Sequence, residues 1–514
     1  MLNFNDMKKH SKRSYKALFI LPFIFLIGCS NFVDVNQNPN NPEIVPPKVL
    51  LANGLIGSAF VNGNELNRFE STIMDYNYGA AGSPAAWDIY NTDGSNFGNQ
   101  WRFELYDGAL ITYKKLIETA DPLGAKAYTG IAKIMKGYTF SIATDVWGDV
   151  PYSEALLGAK NTQPRIDKQG DIYKGNSTLG IQGLFDLVRE GIADLKLTST
   201  LVPANEDLVY GGGASGMATW QRAGYTLMLK LALQISDIEP ALAASVINEV
   251  IAANNYITNN TQNFSVKFGA TVGSLNPIYT WSNSSTSLFY SDMNVSTGYV
   301  DLLTGTISSA SPLVAGSPFV GIVDPRRDLF VKKISGAFVT YQNGFTGTLA
   351  APLNRSRWSD VVTGANGVGP IRLITNAQRA FILAEAGLRI PGVTLPSGQT
   401  PQSLYAEGIT ASMTEAGVAP ATITAYLATA AGTLVAGKEL EQIMTQKYIA
   451  LTGNGLEAWN DRRRTDLPNF PEHLNAVGID GKRPRRAQYI NEEIQRNPNF
   501  VTVLSNVKVW WDVK

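Results

Sequence analysis

Apolar residues recur at helical spacing in four successive pairs of segments, and this pattern constrains the fold more than any other feature of the chain. Trp101, Leu105, Leu110, Tyr113 and Leu116 make a first stripe, and Asp121-Pro122-Leu123-Gly124 breaks it. Tyr128, Ile131, Met135, Thr139 and Ile142 make the second. Two such helices joined by a Pro-Gly turn read as an antiparallel hairpin. The arrangement returns as residues 181–195 with 220–235, 373–389 with 404–416, and 421–431 with 439–451. One pair cannot bury its apolar face alone, so the pairs predict a mainly α, solenoid-like scaffold. No strict period holds, so insertions interrupt the units. The longest runs from about residue 254 to 369, is rich in Asn, Ser, Thr and Gly, and has little helical periodicity. Loops of that length usually carry function or mediate contacts. Within it, residues 330–339 centred on Ser335-Gly336 predict a short hairpin.

The beginning of the chain is of another kind. Lys8, Lys9, Lys12, Arg13 and Lys16 precede an apolar run over residues 17–28, interrupted by Pro22. The run is too short to cross a bilayer, which takes about 20 helical residues. It suits the apolar region of a signal peptide, with Met7 an alternative start to Met1. It ends Leu26-Ile27-Gly28-Cys29, and Cys29 is the only cysteine in 514 residues. This resembles a bacterial lipobox, which implies removal of residues 1–28 and acylation of Cys29. Stable anchoring takes more than one acyl chain, and a multiply acylated Cys29 meets that requirement. Residues 29–48 read as a polar tether whose Asn and Pro favour turns, and residues 49–514 as a single domain. Asp34, Asn36 and Asn38 imitate a calcium loop, but Pro39 stands where Gly is required and Val45 where a bidentate Glu belongs.

Composition excludes several classes of chemistry. The 43 Lys+Arg balance 43 Asp+Glu, and without residues 1–28 the chain would keep 38 basic and 42 acidic residues. Neither balance offers a footprint for nucleic acid. One Cys forbids an internal disulfide or a Cys-built zinc site, and His10 and His473 cannot build a His centre. No metal and no cofactor are expected. Gly211, Gly213 and Gly216 fit a dinucleotide fingerprint, but no strand–helix–strand alternation surrounds them; they read as a glycine-rich helix start. Gly432 to Lys438 imitates a phosphate loop, with Glu439 where a Ser or Thr should hold magnesium. His473 reads as a surface residue rather than part of a catalytic triad. Arg462, Arg463, Arg464, Lys482, Arg483, Arg485 and Arg486 lie near Glu457, Asp461, Asp466, Glu492 and Glu493, which reads as an internally paired network.

Several segments resemble one family, the SusD/RagB-type nutrient-binding lipoproteins of the outer membrane, in particular their SusD-like subgroup. Cys29 with its Asn-Pro-rich tether is similar to the family's lipidated start. Trp147-Gly148-Asp149-Val150-Pro151-Tyr152-Ser153-Glu154-Ala155 resembles its W-G-D-V-P-Y-S-E-A segment, and Tyr210-Gly211-Gly212 with Trp220 its Y-G-G…W passage. Phe381-Ile382-Leu383-Ala384-Glu385-Ala386 resembles its F-I-x-A-E-A helix. Gln446-Lys447-Tyr448, then Glu457-Ala458-Trp459 through Asp461, Arg463, Arg464, Thr465 and Pro468, resemble its Q-K-W…E-A-W-x-D-x-R-R-T-x-x-P run. The chain departs from the pattern over Gly224 to Lys230 and at Tyr489-Ile490. The resemblance implies tetratricopeptide-like helix pairs forming a superhelical scaffold, with a loop-rich, irregular ligand-binding half and minor β-hairpins. It also implies an outer-membrane, lipid-anchored protein facing the cell exterior. Its partner would be a SusC-like TonB-dependent transporter, over which it would sit as a lid, capturing oligosaccharide or peptide without covalent chemistry.

Outside cells such ligands are bound by aromatic platforms and amide or carboxylate hydrogen bonds. Trp87, Tyr90 and Phe97 lie among Gly, Ser, Asn and Asp, a composition that would present rings to solvent. Trp101, Phe103 and Tyr106 open a helix and read as core. A second cluster in the long insertion contains Tyr279, Trp281, Phe289, Tyr290 and Tyr299. Trp87, Tyr90, Phe97, Tyr279, Trp281 and Tyr290 are the candidate ligand contacts. A surface glycoside hydrolase using a carboxylate pair is the alternative, and a purely structural or adhesive surface protein is a third reading.

Overall fold

Each apolar stripe of the sequence becomes a helix in the computed structural model, and the helices pack largely in chain order. The structure describes residues 45–514, of which Pro46–Lys514 form one unit. The proposed signal peptide, Cys29 and the calcium-like Asp34, Asn36 and Asn38 lie outside the described residues. Two long helices, α1 (Pro47–Gly63) and α2 (Glu65–Ile73), and a short one over Gly82–Trp87 precede the first expected pair. That pair begins as a π-helix over Gln100–Leu110, continues as α3 (Ile111–Ala120), and turns back as α4 (Lys126–Trp147). The wide step from Leu105 to Leu110 matches the looser winding of the π segment.

Helix α4 is apolar on most of its circumference, as a helix enclosed by others must be. It crosses α5 (Leu184–Asp194) at Gly130 and Gly191. A Cβ at Gly130 would lie 2.7 Å from the Gly191 carbonyl oxygen, and one at Gly191 2.8 Å from that of Gly130. Only glycine admits two backbones this close. The array continues through α6 (Gly213–Gln234) and α7 (Pro240–Ala253). After the insertion, α8 (Asn376–Arg389) packs on α6, α9 (Pro401–Ala416) and α11 (Glu439–Ala450), with α10 (Pro420–Leu427) against α9. Helix α9 has its limits written in sequence: Thr400 and Ser403 form a reciprocal capping box, Pro401 occupies the first turn, and Gly417 ends it in the left-handed region. Helix α12 (Gly455–Thr465) returns to pack on α2, so the array closes on its own beginning. These are the expected tetratricopeptide-like pairs.

The insertion is irregular but pinned to the scaffold by two small antiparallel sheets. β1 (Asn77–Gly79), following α2, pairs with β3 (Met293–Val295), Tyr78 opposite Asn294. β2 (Phe264–Val266) pairs with β4 (Ile371–Ile374), the strand preceding α8, with an irregularity between Phe264 and Ser265. The expected hairpin over 330–339 reduces to one bridge between Ile334 and Ala337 around a two-residue turn at Ser335 and Gly336, both at positive φ. Phe330 instead ends a short helix, Arg327–Phe330.

Four members of the basic cluster, Arg462, Arg464, Arg483 and Arg485, are paired with carboxylates, several of them remote in sequence. Arg463, Lys482 and Arg486 have no carboxylate within ion-pair distance among the described residues. Arg464 holds Glu385 and Asp461, Arg483 holds Asp75, and Arg485 holds Asp512. Arg463 lies between the rings of Trp459 and Trp511, at 3.7 and 4.6 Å. Glu492 and Glu493 serve Arg102 and Trp101 instead. Lys230, at the departure from the family pattern, is buried and pairs with Glu457 at 3.0 Å. The glycine-rich helix start is structural, as expected: Asp207 accepts from Trp220 Nε1 at 2.9 Å and from the Gly212 and Val209 amides. His473 is a correction. It is buried, contacts the Asp88 carbonyl through Nδ1 at 2.7 Å, and packs on Tyr90.

Candidate functional site

Two of the six aromatic candidates meet in one cleft, and the other four do not. Trp87, Tyr90, Phe97 and Trp281 are all buried, at 3 % exposure or less. The expectation that the first three face solvent from polar loops is therefore corrected. Trp87 and Phe97 pack around Phe69, with ring centroids 5.8 and 5.0 Å away. Tyr90 and Phe97 have positive φ, 60° and 64°, and so depart from the extended path along which side chains alternate outward. Trp281 donates from Nε1 to the Gly63 carbonyl at 2.9 Å, tying the insertion to the end of α1. A further correction concerns Phe103, expected in the core and 62 % exposed.

Tyr279 and Tyr290 line a cleft of about 320 Å³ with Asn283, Lys332, Ile334, Leu353, Arg355, Arg357, Asp360 and Asn366. Tyr279 is placed by a short helix, Pro277–Ser282, whose start is fixed twice. Pro277 occupies the first turn, and Asn276 accepts from the Ile278 and Tyr279 amides at 2.7 and 3.3 Å. Asn276 Nδ2 donates to the Gly369 carbonyl at 2.8 Å, which anchors the cap to the far side of the insertion. Gly367, at φ +82°, lets its backbone approach the ring of Tyr279; a Cβ there would lie 2.8 Å from Cδ1. The phenol ring is thus backed by main chain.

Tyr290 is positioned by Arg357, whose guanidinium carbon sits 3.5 Å from the ring centroid. Nη1 of Arg357 donates to the carbonyls of Ser282 and Met293 at 2.7 and 3.1 Å, and Nη2 to those of Tyr290 and Pro352 at 2.8 and 3.0 Å. One planar fork thereby gathers four carbonyls of the insertion. Burial lowers the Arg357 pKa from its ordinary value. Arg355 extends the same wall, donating to the Ala350 and Ser291 carbonyls. Outside the cleft lining, Tyr341 and Phe345 stack at 5.6 Å, Tyr78 packs on Tyr341 at 5.5 Å, and Phe345 is 37 % exposed. Burial and the nearby Asp88 carboxylate push the Tyr78 phenol up to about 12, which leaves it a neutral donor to the Phe345 carbonyl.

The cleft can therefore offer aromatic ring surface beside amide, guanidinium and ammonium donors. Asp360 is its one carboxylate, and Lys332 holds it at 2.7 Å. A glycosidase pair needs two carboxyl groups about 5–5.5 Å apart, or further for inversion, and this lining does not supply them. Among the described residues no cluster of metal-ligating side chains occurs. Sequence reasoning found the two tyrosines through their aromatic-rich, polar neighbourhood. It missed Arg355 and Arg357, whose only signal was an R-x-R spacing inside a long loop.

The family model for SusD-like proteins, described as starch-binding and associating with the outer membrane, matches residues 39–490. Among solved structures, the chain is similar to one described as a chitin-binding protein, with 23% identity and a TM-score of 0.72 over 91% of this chain and 100% of that one. It is similar to a chitin-binding SusD homolog from Flavobacterium johnsoniae, with 20% identity and a TM-score of 0.72 over 90% of this chain and 99% of that one. A SusD homolog from Bacteroides uniformis matches with 21% identity and a TM-score of 0.70 over 90% and 99% of the two chains. At these identities the likeness is one of fold. No curated protein sequence matches the chain.

Proposed function

Because the chain belongs to the SusD-like family, whose members are described as starch-binding and associated with the outer membrane, we propose that it captures oligosaccharide at the cell surface without cleaving it. The observation that supports this reading is the cleft in the insertion, where Tyr279 is backed by the Gly367 backbone and Tyr290 by Arg357. Pyranose rings present apolar faces rimmed by hydroxyls. Such a ligand uses ring surface for affinity and amide or guanidinium donors for orientation. The chitin-binding descriptions of two structural neighbours favour a glycan over a peptide.

The same reading includes acylation of Cys29 as the membrane attachment. Among the described residues no helix is long and apolar enough to cross a membrane, and a lipid anchor would supply the association. Delivery to a SusC-like TonB-dependent transporter, with this chain as its lid, completes the proposal.

Titrating the protein with starch- and chitin-derived oligosaccharides tests it. Stoichiometric binding without new reducing ends is expected, with at least a tenfold loss in the Tyr279→Ala/Tyr290→Ala double variant. Turnover, or binding that the double variant leaves unchanged, overturns the reading. Purification of the acylated protein from its own outer membrane tests the partner: a transporter barrel should accompany it, and its absence would remove the delivery step.

A further inference from the structure

A second groove, of about 890 Å³ and with no lining residue from the insertion, lies between residues 165–174 and the segment 499–510. Its origin is visible in the hydrogen bonds. At one end the segment is stitched down by Asn497 and Asn499, whose side chains donate to the Pro164 carbonyl. At the other, the Trp510 amide donates to Gln169 Oε1 at 2.8 Å. Between these pins Val501, Thr502, Val503 and Leu504 belong to no helix and no strand. Among the described residues, none of these four amides donates a hydrogen bond, and the carbonyls of Val501, Thr502 and Val503 accept none. Val501 is 65 % exposed and Leu504 45 %.

A β-branched segment outside any helix or sheet, with unpaired amides and carbonyls, can serve as a template for another strand. The groove beside it decides the kind of strand. Arg165, Lys168, Lys174, Arg486 and Lys508 line it, against Asp149 and Asp171; Arg165 and Lys174 are already paired with Asp167 and Glu239, at 2.8 and 2.6 Å. Lys168 is bound to Asp149 only by an exposed ion pair at 2.9 Å, an interaction worth little in water. Arg486, although buried, has no carboxylate within ion-pair distance among the described residues and rests on the Trp147 carbonyl. Lys508 has no carboxylate partner there either. A second copy of this chain would bring the same cations against these and is disfavoured.

We propose that this groove accepts an extended, acidic polypeptide segment, added by backbone pairing to residues 501–504 with its carboxylates on Lys168, Arg486 and Lys508. The proposal stands on observations independent of the glycan cleft. Backbone pairing is indifferent to most side chains, so a generic probe suffices: a terminally blocked heptapeptide alternating valine and glutamate, labelled and titrated with the full chain in detergent. Binding is expected, weakening at least tenfold when alternate amides of the peptide are N-methylated in one of the two possible registers. A lysine-for-glutamate peptide should bind at least tenfold more weakly than the glutamate one. The Lys168→Glu/Lys508→Glu variant should reverse that preference. No binding at millimolar peptide, equal binding of both N-methylated registers, or equal binding of the lysine peptide overturns the proposal. The N-methyl comparison uses unaltered protein, so folding of a variant does not enter it.

Discussion

Arg464 grips both carboxylate oxygens of Glu385, and neither side chain has any exposure to solvent. The pair joins two sequence segments that each carry the family resemblance, the helix around Phe381–Ala386 and the Arg-rich helix α12. Arg389 and Asp461 complete the cluster. Burial alone would raise the Glu385 pKa, but Arg464, Lys447 and Arg389 outweigh it and hold the carboxyl well below the usual range.

Removing one member of such a pair leaves a buried charge without its partner, which costs about 3–5 kcal/mol. Glu385→Gln should lower unfolding stability in urea by that amount, and Glu385→Gln/Arg464→Met by less than the sum of its parts. Because the folded-state pKa is depressed, the stability this carboxylate contributes is complete above its unfolded value near 4.5 and is lost as pH falls below it. A steep loss of wild-type stability below pH 4.5, flattened in Glu385→Gln, checks the sign.

Asp88 behaves oppositely and in a separate window. Burial raises its pKa to about 6, against the downward pull of His473, Asn343 and the Gly344 and Gly79 amides. Its contribution is complete below about 3.8 and is lost as pH rises through 6, an effect of about 3 kcal/mol from the shift. Relative to wild type, Asp88→Asn should therefore gain about that much between pH 4 and pH 7, read from urea midpoints at the two values.

Trp87 and Tyr290 should separate scaffold from ligand contact. Trp87→Ala opens a cavity in the core and should cost about 3–5 kcal/mol of stability. Tyr290→Ala, in the open cleft, should change stability by less than about 1 kcal/mol while weakening glycan binding. Thermal melts beside oligosaccharide titrations of both variants give the comparison.

Arg357→Lys keeps the charge and loses the fork. One ammonium cannot satisfy four carbonyls from a single point, so buried acceptors are left unpaired at about 1–3 kcal/mol each. The expected result is faster proteolysis within residues 282–293 and weaker glycan binding. Unchanged cleavage would show that the four carbonyl bonds do not hold this segment.

The helical scaffold was legible because amphipathic stripes survive any rearrangement of loops. Tyr128, Ile131 and Met135 point to one face whatever surrounds them, and all three are buried. The candidate cleft was legible only by neighbourhood. Composition reports which segments are loops, but not which way a loop side chain turns. Tyr90 and Phe97 turn inward from left-handed backbone, which nothing in an Asn-, Asp- and Ser-rich stretch announces. His473 was misplaced for a related reason: its partners, the Asp88 carbonyl and the Tyr90 ring, lie more than 380 positions earlier in the chain. The charge network is paired only in part, at Arg462, Arg464, Arg483 and Arg485, and the partners Asp75, Glu385 and Asp512 were beyond local reading.

The return of α12 onto α2 bears on how quickly the molecule can form. Helical repeats ordinarily fold fast, since their contacts lie between neighbours in sequence. Here Tyr76 stacks on Tyr448 at 4.3 Å, 372 positions away, and Trp511 Nε1 reaches Asp145 across 366. Closure of such loops must precede completion of the core. Refolding should accordingly show far-ultraviolet helix signal well before the near-ultraviolet signal of the buried tryptophans: an α-rich chain with the kinetics of a non-local topology.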